Sequence, residues 1–494
     1  MRFSTLNAWL NWLEQLHPVE IDLGLDRVLA VAKHLNVLSF SATVITVAGT
    51  NGKGSTVAAL QALLSQPHLN KPSPRVATYT SPHLISFTER ITLDANPVDE
   101  AVLCRALESV DQARLATNVS LSYFEFTTLA ALVIFAQAPL DYILLEVGLG
   151  GRLDAVNVVD ADVAVITQIA IDHESWLGSN REVIAVEKAG ILRANQMAVI
   201  ADSQPPISLQ DRVKALGCQV RWAHNTVAES NAACHGFVSG DESCEWQGVA
   251  VDGSVTALAM TTSADLPPFK LALASWSAAM QAALMLNALP SAEVCKALIA
   301  SEQLAGRLSI VQHNDRVILL DVAHNTQSVE RLADFLGEHG QSDELLDQEK
   351  PLAQNKPLAQ KKPLAQNKPL AHNWVAIFAV MADKDIGAML DCTMPLIKKW
   401  YLPALQNCPR AESPEQLLSL LKGRQLAIGE NKQPNDDDVS EIDAKIMLNV
   451  EESLIEAIHN TSHKDKIVVF GSFYTVGEAL AFIDPHFANG KAKA

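Results

Sequence analysis

The sequence predicts an α/β protein with two units, a larger N-terminal unit around a mostly parallel sheet and a smaller C-terminal α/β unit. From residue 43 to 200, apolar strands alternate with helical segments, which is the pattern of right-handed parallel connections. From 201 to 270 the pattern changes to short strands and polar turns, which indicates a β-rich extension. A second α/β pattern begins near Ala305. We therefore expect domains at 1–304 and 305–494.

The composition of the 494 residues is that of a folded globular protein, with 48% hydrophobic and 19% charged residues. The formal net charge of −18 argues against a general nucleic-acid or membrane-surface binder, although a local basic pocket can still hold an anion. The seven cysteines form no C-x-x-C pair, which is typical of a reducing compartment and suggests no zinc site. The longest apolar stretch, Leu129–Ala138, is too short to span a bilayer, so we expect a cytoplasmic protein.

The first 40 residues are predicted to be helical, with an interruption at 21–26. Apolar residues from Phe3 to Leu16 recur at helical spacing without an unbroken apolar run, so this segment predicts an amphipathic helix and not a signal peptide. On spacing alone, Asp22 is better explained as a helix cap than as a ligand contact.

A glycine-rich loop follows the first strand and carries the strongest sign of a ligand site. The strand Thr43–Val47 precedes the glycines, and a helix is predicted over Thr56–Leu64. Such a loop turns N–H groups toward a phosphate, while Lys53 can neutralise its charge and Ser55 or Thr56 can offer a hydroxyl to magnesium. The usual phosphate-loop pattern has Ser/Thr directly after the lysine and a glycine six residues before it, and both are missing here. A purely structural glycine turn remains open at this point.

Polar side chains stand at or just beyond the ends of three successive predicted strands. The strands and side chains are Val76–Tyr79 with Ser81, Asp141–Val147 with Glu146, and Asp162–Thr167 with His173. A proline after Ser81 holds that residue extended. A buried carboxylate needs a partner or a metal, so Glu146 is a candidate magnesium ligand. A lone histidine is usually structural, but ligands of α/β sheets gather at the carboxyl ends of strands, so we expect the three groups to share one site.

A helix is predicted to begin at Ser122 and to end near residue 137. Glu125 can serve its first turn. Phe124 and Phe126 are better explained as core residues than as a ring-stacking surface.

Later segments complete the predicted units. They are a helix over Leu271–Leu286, strands over Val317–Leu320, Trp374–Val380 and Ile467–Phe470, and a helix that ends near Phe335. A hexapeptide repeat, Lys-Pro-Leu-Ala-Gln-Asn with small variations, occupies 350–373. Its prolines block a regular helix and one leucine per repeat cannot build a core, so we expect 341–373 to be a flexible insert without a catalytic role. A second polar insert is expected at 429–443.

Several motifs occur together in a specific order. They are Ala48–Ser55, Thr80–Leu84, Leu145–Asp154, Asp172–His173, Glu187–Ile191, Gly306–Arg307, Asp321–Asn325 and Gly471–Tyr474. This ordered set resembles the folylpolyglutamate synthase/dihydrofolate synthase family, a branch of the Mur ligase superfamily. The resemblance covers nearly the whole chain outside the inserts and the region 201–260. It implies a P-loop ATPase-like domain of the Mur ligase central-domain type, followed by a Rossmann-like domain.

The resemblance also implies the site residues. The implied ATP-binding positions are Thr50, Asn51, Gly52, Lys53, Gly54, Ser55, Thr56, Ser275, Arg307 and Asp321. Two magnesium ions are implied, one near Ser81 and Glu146 and a second involving Glu146 and His173. The lysine matching Lys188 is commonly carbamoylated to N6-carboxylysine in the superfamily, which turns a cation into a carboxylate-like group able to support the second metal.

The implied enzyme is an ATP-dependent amide ligase that works through an acyl phosphate. Lys53, Glu146, His173 and Lys188 are the implied catalytic residues, because two anions must approach each other during phosphoryl transfer. His324 and Ser472 are implied parts of the glutamate site. Unaided, His324 is equally well explained as a structural histidine at a strand end.

The family's bifunctional members bind 7,8-dihydropteroate through three segments, and all three are intact here. The matching residues are Asp22, Leu23, Gly24, Leu25, Ser122, Tyr123, Phe124, Glu125, Leu153, Asp154 and Ala155. The resemblance therefore implies first glutamylation of dihydropteroate and further glutamylation of tetrahydrofolate. Two positions depart from the family pattern: Ser275 takes the place of an asparagine that contacts ATP, and Ala305 that of a proline before Gly-Arg.

The expected partners are small molecules, namely dihydropteroate, tetrahydrofolate, L-glutamate and ATP, with neither nucleic acid nor membrane, and we expect a monomer. Three alternatives stay open. They are an enzyme that only extends folates, a Mur-type ligase of cell-wall precursors, and an ATP-binding scaffold without turnover. The cell-wall ligase is disfavoured by the Asp22 segment and the Tyr123–Phe126 segment. The scaffold without turnover is disfavoured by the retained Lys53 and Glu146.

Overall fold

A computed structural model of the protein describes residues 1–17, 22–67, 72–223, 234–239, 244–260, 271–340, 374–406, 408–430, 442–462 and 464–484. Contacts divide the chain into two units, of which the first extends to Glu302 and the second begins at Gln303. The expected insert 341–373, with its hexapeptide repeat, lies outside the described residues. Of the second expected insert, 431–441 also lies outside them.

The described residues of the first unit form α-helices, some of which begin at a residue whose side chain caps them. They are α1 Leu6–Leu16, α2 Asp26–Leu35, α3 Lys53–Leu64, α4 Glu100–Thr117, α5 Tyr123–Ala136, α6 Glu174–Leu177, α7 Arg181–Lys188, α8 Ile207–Leu216, α9 Leu273–Met285 and α10 Ala292–Ser301, with short 3-10 helices at Phe87–Arg90, Ala155–Val158 and Ala189–Ile191. Ser122 caps α5 in a capping box with Glu125, as its spacing predicts. Thr5 caps α1 and Asn180 caps α7.

The strands of the first unit form one sheet. They are β1 Thr43–Ala48, β2 Val76–Tyr79, β3 Ile91–Leu93, β4 Asn96–Pro97, β5 Tyr142–Glu146, β6 Val163–Ile166, β7 Met197–Ile200, β8 Gln219–Ala223, β9 Cys234–Ser239, β10 Cys244–Val249 and β11 Val255–Met260. Their order is β11-β10-β9-β8-β7-β6-β1-β5-β2-β3-β4. Pairing is parallel from β2 through β9 and antiparallel at both ends. The predicted mostly parallel α/β sheet is confirmed.

The prediction for 201–270 was incomplete, because helix α8 precedes the short strands. Leu209 and Val213 are buried one turn apart on this helix. The polar residues between them hid that spacing in the sequence, whereas β8 to β11 follow as expected.

The core of the first unit ties the N-terminal helix to α5. Trp9 and Leu13 of α1 are fully buried, and Phe126 of α5 packs against the rings of Trp9 and Trp12 at centroid distances of 6.3 and 6.0 Å. Phe126 is therefore a core residue, as expected. This packing fixes the position of the first turn of α5.

The second unit has its own sheet and helices. The elements are β12 Ser309–His313, β13 Arg316–Asp321, α11 Thr326–His339, β14 Trp374–Phe378, α12 Ile386–Thr393, β15 Ile397–Pro403, α13 Pro414–Glu430, β16 Asp443–Met447, α14 Val450–His459, β17 Lys466–Phe470 and α15 Phe473–Ile483, with a 3-10 helix at Met394–Leu396. The strand order is β12-β13-β17-β14-β15-β16, parallel except for β12. Strands β13, β17 and β14 are neighbours, so their carboxyl ends meet at one edge.

Candidate active site

The loop between β1 and α3 is fixed by hydrogen bonds to the segment after β6. Thr50 N donates to Gln168 O at 2.8 Å, and Thr50 Oγ1 donates to Ala170 O at 3.0 Å. Gly49 and Gly52 have φ angles of +147° and +90°, which favour glycine. The loop leads into the N-terminus of α3, and such a helix end presents N–H groups to an anion.

Helix α3 begins at Lys53 and not at the predicted Thr56. Gly52 ends the loop in the left-handed conformation, and a glycine at position 54 is tolerated in the first turn, where fewer hydrogen bonds depend on it. Lys53, Ser55 and Thr56 therefore belong to the first turn of the helix. Ser55 and Thr56 are buried there.

Two lysines converge on the oxygen of Gly49. Lys53 Nζ donates to it at 3.2 Å, and Lys188 Nζ, at the end of α7, donates at 2.9 Å. Burial lowers the pKa of Lys188 and the charge of Lys53 acts in the same direction, so that this pKa lies at about 7. Asp172 and Asp154 act in the opposite direction. Lys188 is therefore an amine with a substantial neutral fraction near neutral pH.

Glu146 lies at the carboxyl end of β5, against the phosphate loop helix. Its carboxylate is buried, and its Oε2 accepts a hydrogen bond from Ser81 N at 3.0 Å. A Cβ at Gly54 would stand 3.5 Å from the same oxygen, so the first turn of α3 passes directly beside the carboxylate. The peptide bond between Ser81 and Pro82 is cis. The structure thus brings Ser81 and Glu146 together beside the loop.

His173 precedes the short helix α6 in a left-handed conformation with φ of +52°. Its backbone N donates to Asp172 Oδ1 at 2.8 Å, and its ring Nε2 lies 4.0 Å from Asp172 Oδ2. Because Asp172 also raises the pKa of Lys188, the Asp172–His173 pair belongs to the surroundings of the buried lysine.

The donor groups around Glu146 fit a magnesium ion that also binds phosphate. No group of three or more His, Cys, Asp or Glu residues suited to a metal occurs in the described ranges. Magnesium needs only one or two protein carboxylates when phosphates and waters complete its shell. Glu146 supplies such a carboxylate, and Ser81 a neighbouring hydroxyl. Thr56 Oγ1, in the first turn of α3, is buried without a hydrogen-bond partner in the part of the chain described here.

The segments 122–125 and 148–155 lie against each other. A Cβ at Gly148 would stand 2.6 Å from Phe124 Cζ, so only glycine permits this approach. Asp154 accepts hydrogen bonds from Leu149 N at 2.8 Å and Val156 N at 3.0 Å. Burial raises the pKa of Asp154 to about 6, against the effect of these hydrogen bonds and of the nearby Lys53 charge.

Asp22 is not a helix cap, and that expectation was wrong. Helix α2 begins at Asp26 without a side-chain cap, because Asp22 lies too far upstream and its carboxylate has other partners. Its Oδ2 lies 2.8 Å from Arg27 Nη1 and 3.1 Å from His17 Nε2. Arg27 in turn donates to Glu125 at 2.9 Å. The first and second predicted acceptor segments are therefore connected.

Ser275 lies in the first turn of α9, which packs against α3. It is buried, and its Oγ is 3.3 Å from the position of a Cβ at Gly52. A serine hydroxyl thus stands beside the phosphate loop.

In the second unit, Arg307 lies just before β12, and Asp321 is the last residue of β13, which pairs with β12. Burial raises the pKa of Asp321, and the positive charge of Arg307 opposes this shift. The Asp321 carboxylate accepts hydrogen bonds from Leu308 N and Ala323 N, each at 2.8 Å. The Arg307 guanidinium lies over the ring of Phe473 at 5.2 Å.

His324 and Ser472 follow the neighbouring strands β13 and β17. His324 Nδ1 donates to Val322 O at 2.8 Å, which fixes its ring orientation. Ser472 caps α15 through Thr475 N at 3.1 Å. Phe473 links the two, since its ring lies 6.0 Å from that of His324.

Arg27, Asp172 and Phe473 are candidate site residues that were not singled out from the sequence. Asp172 precedes the predicted His173, and Phe473 follows the predicted Ser472. Both therefore lie inside motifs that were recognisable in the sequence. Arg27 lies beyond the predicted loop, and its contact with Glu125 spans 98 positions, which no local pattern reveals.

Comparison with known proteins agrees with this geometry. No protein-family model matches the chain. The dihydrofolate synthase/folylpolyglutamate synthase of Escherichia coli is 33% identical over 494 residues, covering 99% of this chain and 98% of the relative. That of Haemophilus influenzae is 34% identical over 497 residues, covering 97% and 98%. The chain belongs to the dihydrofolate synthase/folylpolyglutamate synthase family. The resemblance noted in the motifs is thereby confirmed, as is the prediction of an enzyme.

Solved structures of the dihydrofolate synthase/folylpolyglutamate synthase family share the fold. Escherichia coli FolC in complex with DHPP and ADP has a TM-score of 0.76 at 32% identity and covers 98% of this chain and 99% of its own. The Yersinia pestis enzyme with AMPPNP and Mn has a TM-score of 0.75 at 33% identity, with 97% and 98% covered. The predicted Mur ligase-type fold with a second α/β sheet is confirmed.

The helices and the cysteines of the described residues bear on where the protein works. Within the described ranges, no helix has the length and apolar character needed to cross a membrane. Among the residues that the structure describes, the following cysteines are free thiols: Cys104, Cys218, Cys234, Cys295, Cys392 and Cys408.

Proposed function

We propose that the protein ligates L-glutamate to 7,8-dihydropteroate and adds further glutamates to tetrahydrofolate, at the expense of ATP. The observation that carries this proposal is the position of the acceptor segments beside the phosphate loop. Asp154 of the third segment and Lys53 of the loop influence each other electrostatically, and Phe124 of the second segment packs on the loop that follows Glu146. A pteroate carboxylate and the terminal phosphate of ATP would therefore meet in one place.

The first step joins the acceptor carboxylate to phosphorus. A carboxylate oxygen attacks the γ-phosphorus, the bond to the β-γ bridging oxygen breaks, and ADP leaves with that electron pair. Lys53 and the N-terminus of α3 offset the charge on the phosphoryl oxygens. Glu146 and Ser81 would hold magnesium, which supplies further charge neutralisation at the transferring group when bound. The product is an acyl phosphate.

The second step forms the amide. The amino nitrogen of glutamate attacks the acyl carbon, the C–O bond to phosphate breaks, and the nitrogen loses a proton. His324 and Ser472 are proposed to bind glutamate, and Arg307 and Asp321 to serve ATP. The contacts of His324 and Arg307 with Phe473, the neighbour of Ser472, support the proposal that the glutamate and ATP contacts of the second unit lie next to each other.

Lys188 is proposed to act as its carbamate. A neutral amine attacks CO2, and the burial that lowers the pKa of Lys188 supplies this neutral form. The resulting anion beside Lys53 would relieve the repulsion between two ammonium groups on one carbonyl. It would support a second magnesium ion with Glu146 and His173.

We also propose that the protein works as a monomer in the cytoplasm, on small molecules only and without nucleic-acid or membrane partners. The free thiols of the described residues support a reducing compartment. The net charge of −18 supports the absence of nucleic-acid partners.

The test measures ADP release with ATP, magnesium and L-glutamate, comparing dihydropteroate with tetrahydrofolate. We expect release with both acceptors and none without glutamate. Release with tetrahydrofolate alone would favour an enzyme that only extends folates. Release with a UDP-muramoyl acceptor, and with neither pteroate nor folate, would overturn the proposal in favour of the cell-wall alternative.

A further inference from the structure

Arg27 connects two of the proposed acceptor-binding segments. It lies in the first turn of α2, directly after the segment 22–25. Its Nη1 lies 2.8 Å from Asp22 Oδ2, and its Nη2 donates to Glu125 Oε1 at 2.9 Å and to the backbone oxygen of Asp22 at 2.8 Å. One side chain thus spans from the loop before α2 to the first turn of α5.

The hydrogen bonds leave neither carboxylate free to move independently. Glu125 Oε2 accepts from Ser122 N at 2.7 Å in the capping box, so its Oε1 remains for Arg27. Asp22 Oδ2 is shared by Arg27 and His17, and the ring of His17 reaches Ser120 at 2.9 Å.

The chemistry of this bridge requires an arginine. Two carboxylates would repel each other, and the carboxylate of Glu125 is only 5% exposed, so it needs a cationic partner. A guanidinium has several N–H groups in a fixed plane and can bind two carboxylates at once. A lysine in the same place has a single ammonium group, which cannot hold the carboxylates of Asp22 and Glu125 in the same fixed geometry.

We propose that Arg27 is a positioning residue for the pteroate acceptor. It holds Asp22 and Glu125 in one arrangement, so that the segments 22–25 and 122–125 form a single binding wall. This inference rests on the proposed function, in which these segments bind dihydropteroate. Arg27 acts on acceptor binding through its partners and leaves the ATP and glutamate sites unaffected.

The experiment compares steady-state kinetics of the wild type, Arg27→Gln and Arg27→Lys with dihydropteroate as acceptor. We expect Arg27→Gln to raise the KM for dihydropteroate by about ten- to hundredfold, the usual cost of lost charged hydrogen bonds, with kcat and the KM for ATP changed less than about threefold. Arg27→Lys should recover part of the loss. Adding Asp22→Asn to Arg27→Gln should cost less than the two single effects multiplied, because both changes break the same contact.

Arg2→Gln is the matched control. Arg2 Nε also pairs with a buried carboxylate, Asp111 Oδ2 at 2.7 Å, but between α4 and the N-terminus. We expect the wild-type KM for dihydropteroate in this variant. Should Arg27→Gln fail to fold, Arg27→Lys decides alone, through a raised acceptor KM at unchanged kcat.

The outcomes separate the two proposals. A wild type without dihydropteroate-dependent ADP release overturns the proposed function together with this inference. An active wild type whose Arg27 variants keep the acceptor KM, or lose ATP affinity in parallel, overturns only the role of Arg27.

Discussion

Lys53 and Lys188 donate from their Nζ atoms to the same backbone oxygen, that of Gly49, at 3.2 and 2.9 Å. Two ammonium groups so close together repel each other, and Lys188 is buried as well. The site can relieve the repulsion by binding an anion, by deprotonating Lys188, or by converting it into a carbamate. The pKa of Lys188 is lowered to about 7, which favours deprotonation. The neutral amine formed in this way is also the form that can become a carbamate.

Carbamoylation of Lys188 should therefore depend on pH and CO2. Below about pH 7 the amine is mostly protonated and cannot attack CO2, and above it the neutral form predominates. With 13C-labelled bicarbonate, we expect a carbamate NMR signal that is stronger at pH 8 than at pH 6. Removal of CO2 should lower turnover in parallel. Lys188→Ala should lack the signal, and Lys214→Ala, changed at an exposed position of α8, should keep it. A wild type without any signal at pH 8 would contradict the prediction.

Lys53→Ala and Glu146→Ala should each abolish turnover with either acceptor, by on the order of a thousandfold or more. Lys53 is needed to offset phosphoryl charge, and Glu146 to hold the metal beside the loop. The steady-state rate of ADP release measures the loss of turnover, and circular dichroism checks that each variant is folded. Lys214→Ala again serves as the control. Full activity in either site variant would remove the proposed site.

The sequence predicted most of what local patterns can encode. Strands such as Val76–Tyr79 were apparent because continuous β-branched and apolar runs reflect burial on both faces of a parallel sheet. Glu146 was apparent because a carboxylate at the end of such a run is conspicuous. The capping box of Ser122 and Glu125 follows from a spacing of three residues.

Contacts between distant segments and weakly patterned elements escaped prediction. The bridge from Arg27 to Glu125 depends on where α2 packs against α5, which no short pattern contains. Two lysines after Ile397 interrupt the apolar pattern of strand β15, Ile397–Pro403, and the edge strand β16, Asp443–Met447, is largely exposed, so both patterns are weak in the sequence. The start of α3 at Lys53 is not apparent from the sequence, because Gly52 and Gly54 on either side of it are typical of loops.

Gly49→Ala should destabilise the protein by more than about 3 kcal/mol, through steric overlap and an unfavourable φ. A Cβ at Gly49 would stand 1.8 Å from Thr167 Oγ1, and φ is +147°. Gly423→Ala is the contrasting change, because this glycine lies within helix α13 and an added Cβ meets nothing within 4 Å. It should raise stability by about 0.5–1 kcal/mol. Urea unfolding, followed separately for each unit, measures the free energy of unfolding of both variants. Equal changes in this free energy for the two substitutions would contradict the expectation.

Ser275→Ala should raise the KM for ATP by about two- to tenfold, the effect of one ordinary hydrogen bond, without changing the KM for dihydropteroate. Ser275 is buried beside Gly52 of the phosphate loop, so its hydroxyl lies where it can contact a ligand of that loop. Ser275→Asn, which restores the family's residue, should lower the KM for ATP below the wild-type value. Ser109→Ala on α4 controls for loss of a helical serine. An unchanged KM for ATP in Ser275→Ala would place the nucleotide elsewhere.

Deletion of Lys350–His372 should leave ligation intact, with kcat/KM within about twofold and Tm within about 2 °C of the wild type. The elements on either side of the deletion are already joined by other residues. Trp374 Nε1 donates to Leu336 O at 2.9 Å, and Lys466 Nζ donates to His339 O at 2.6 Å, so the end of α11 and the start of β14 are held together without the repeat. The residues from 341 to 349 remain to close the chain. Loss of ADP release in a variant that keeps the wild-type Tm would show instead that the repeat takes part in the reaction.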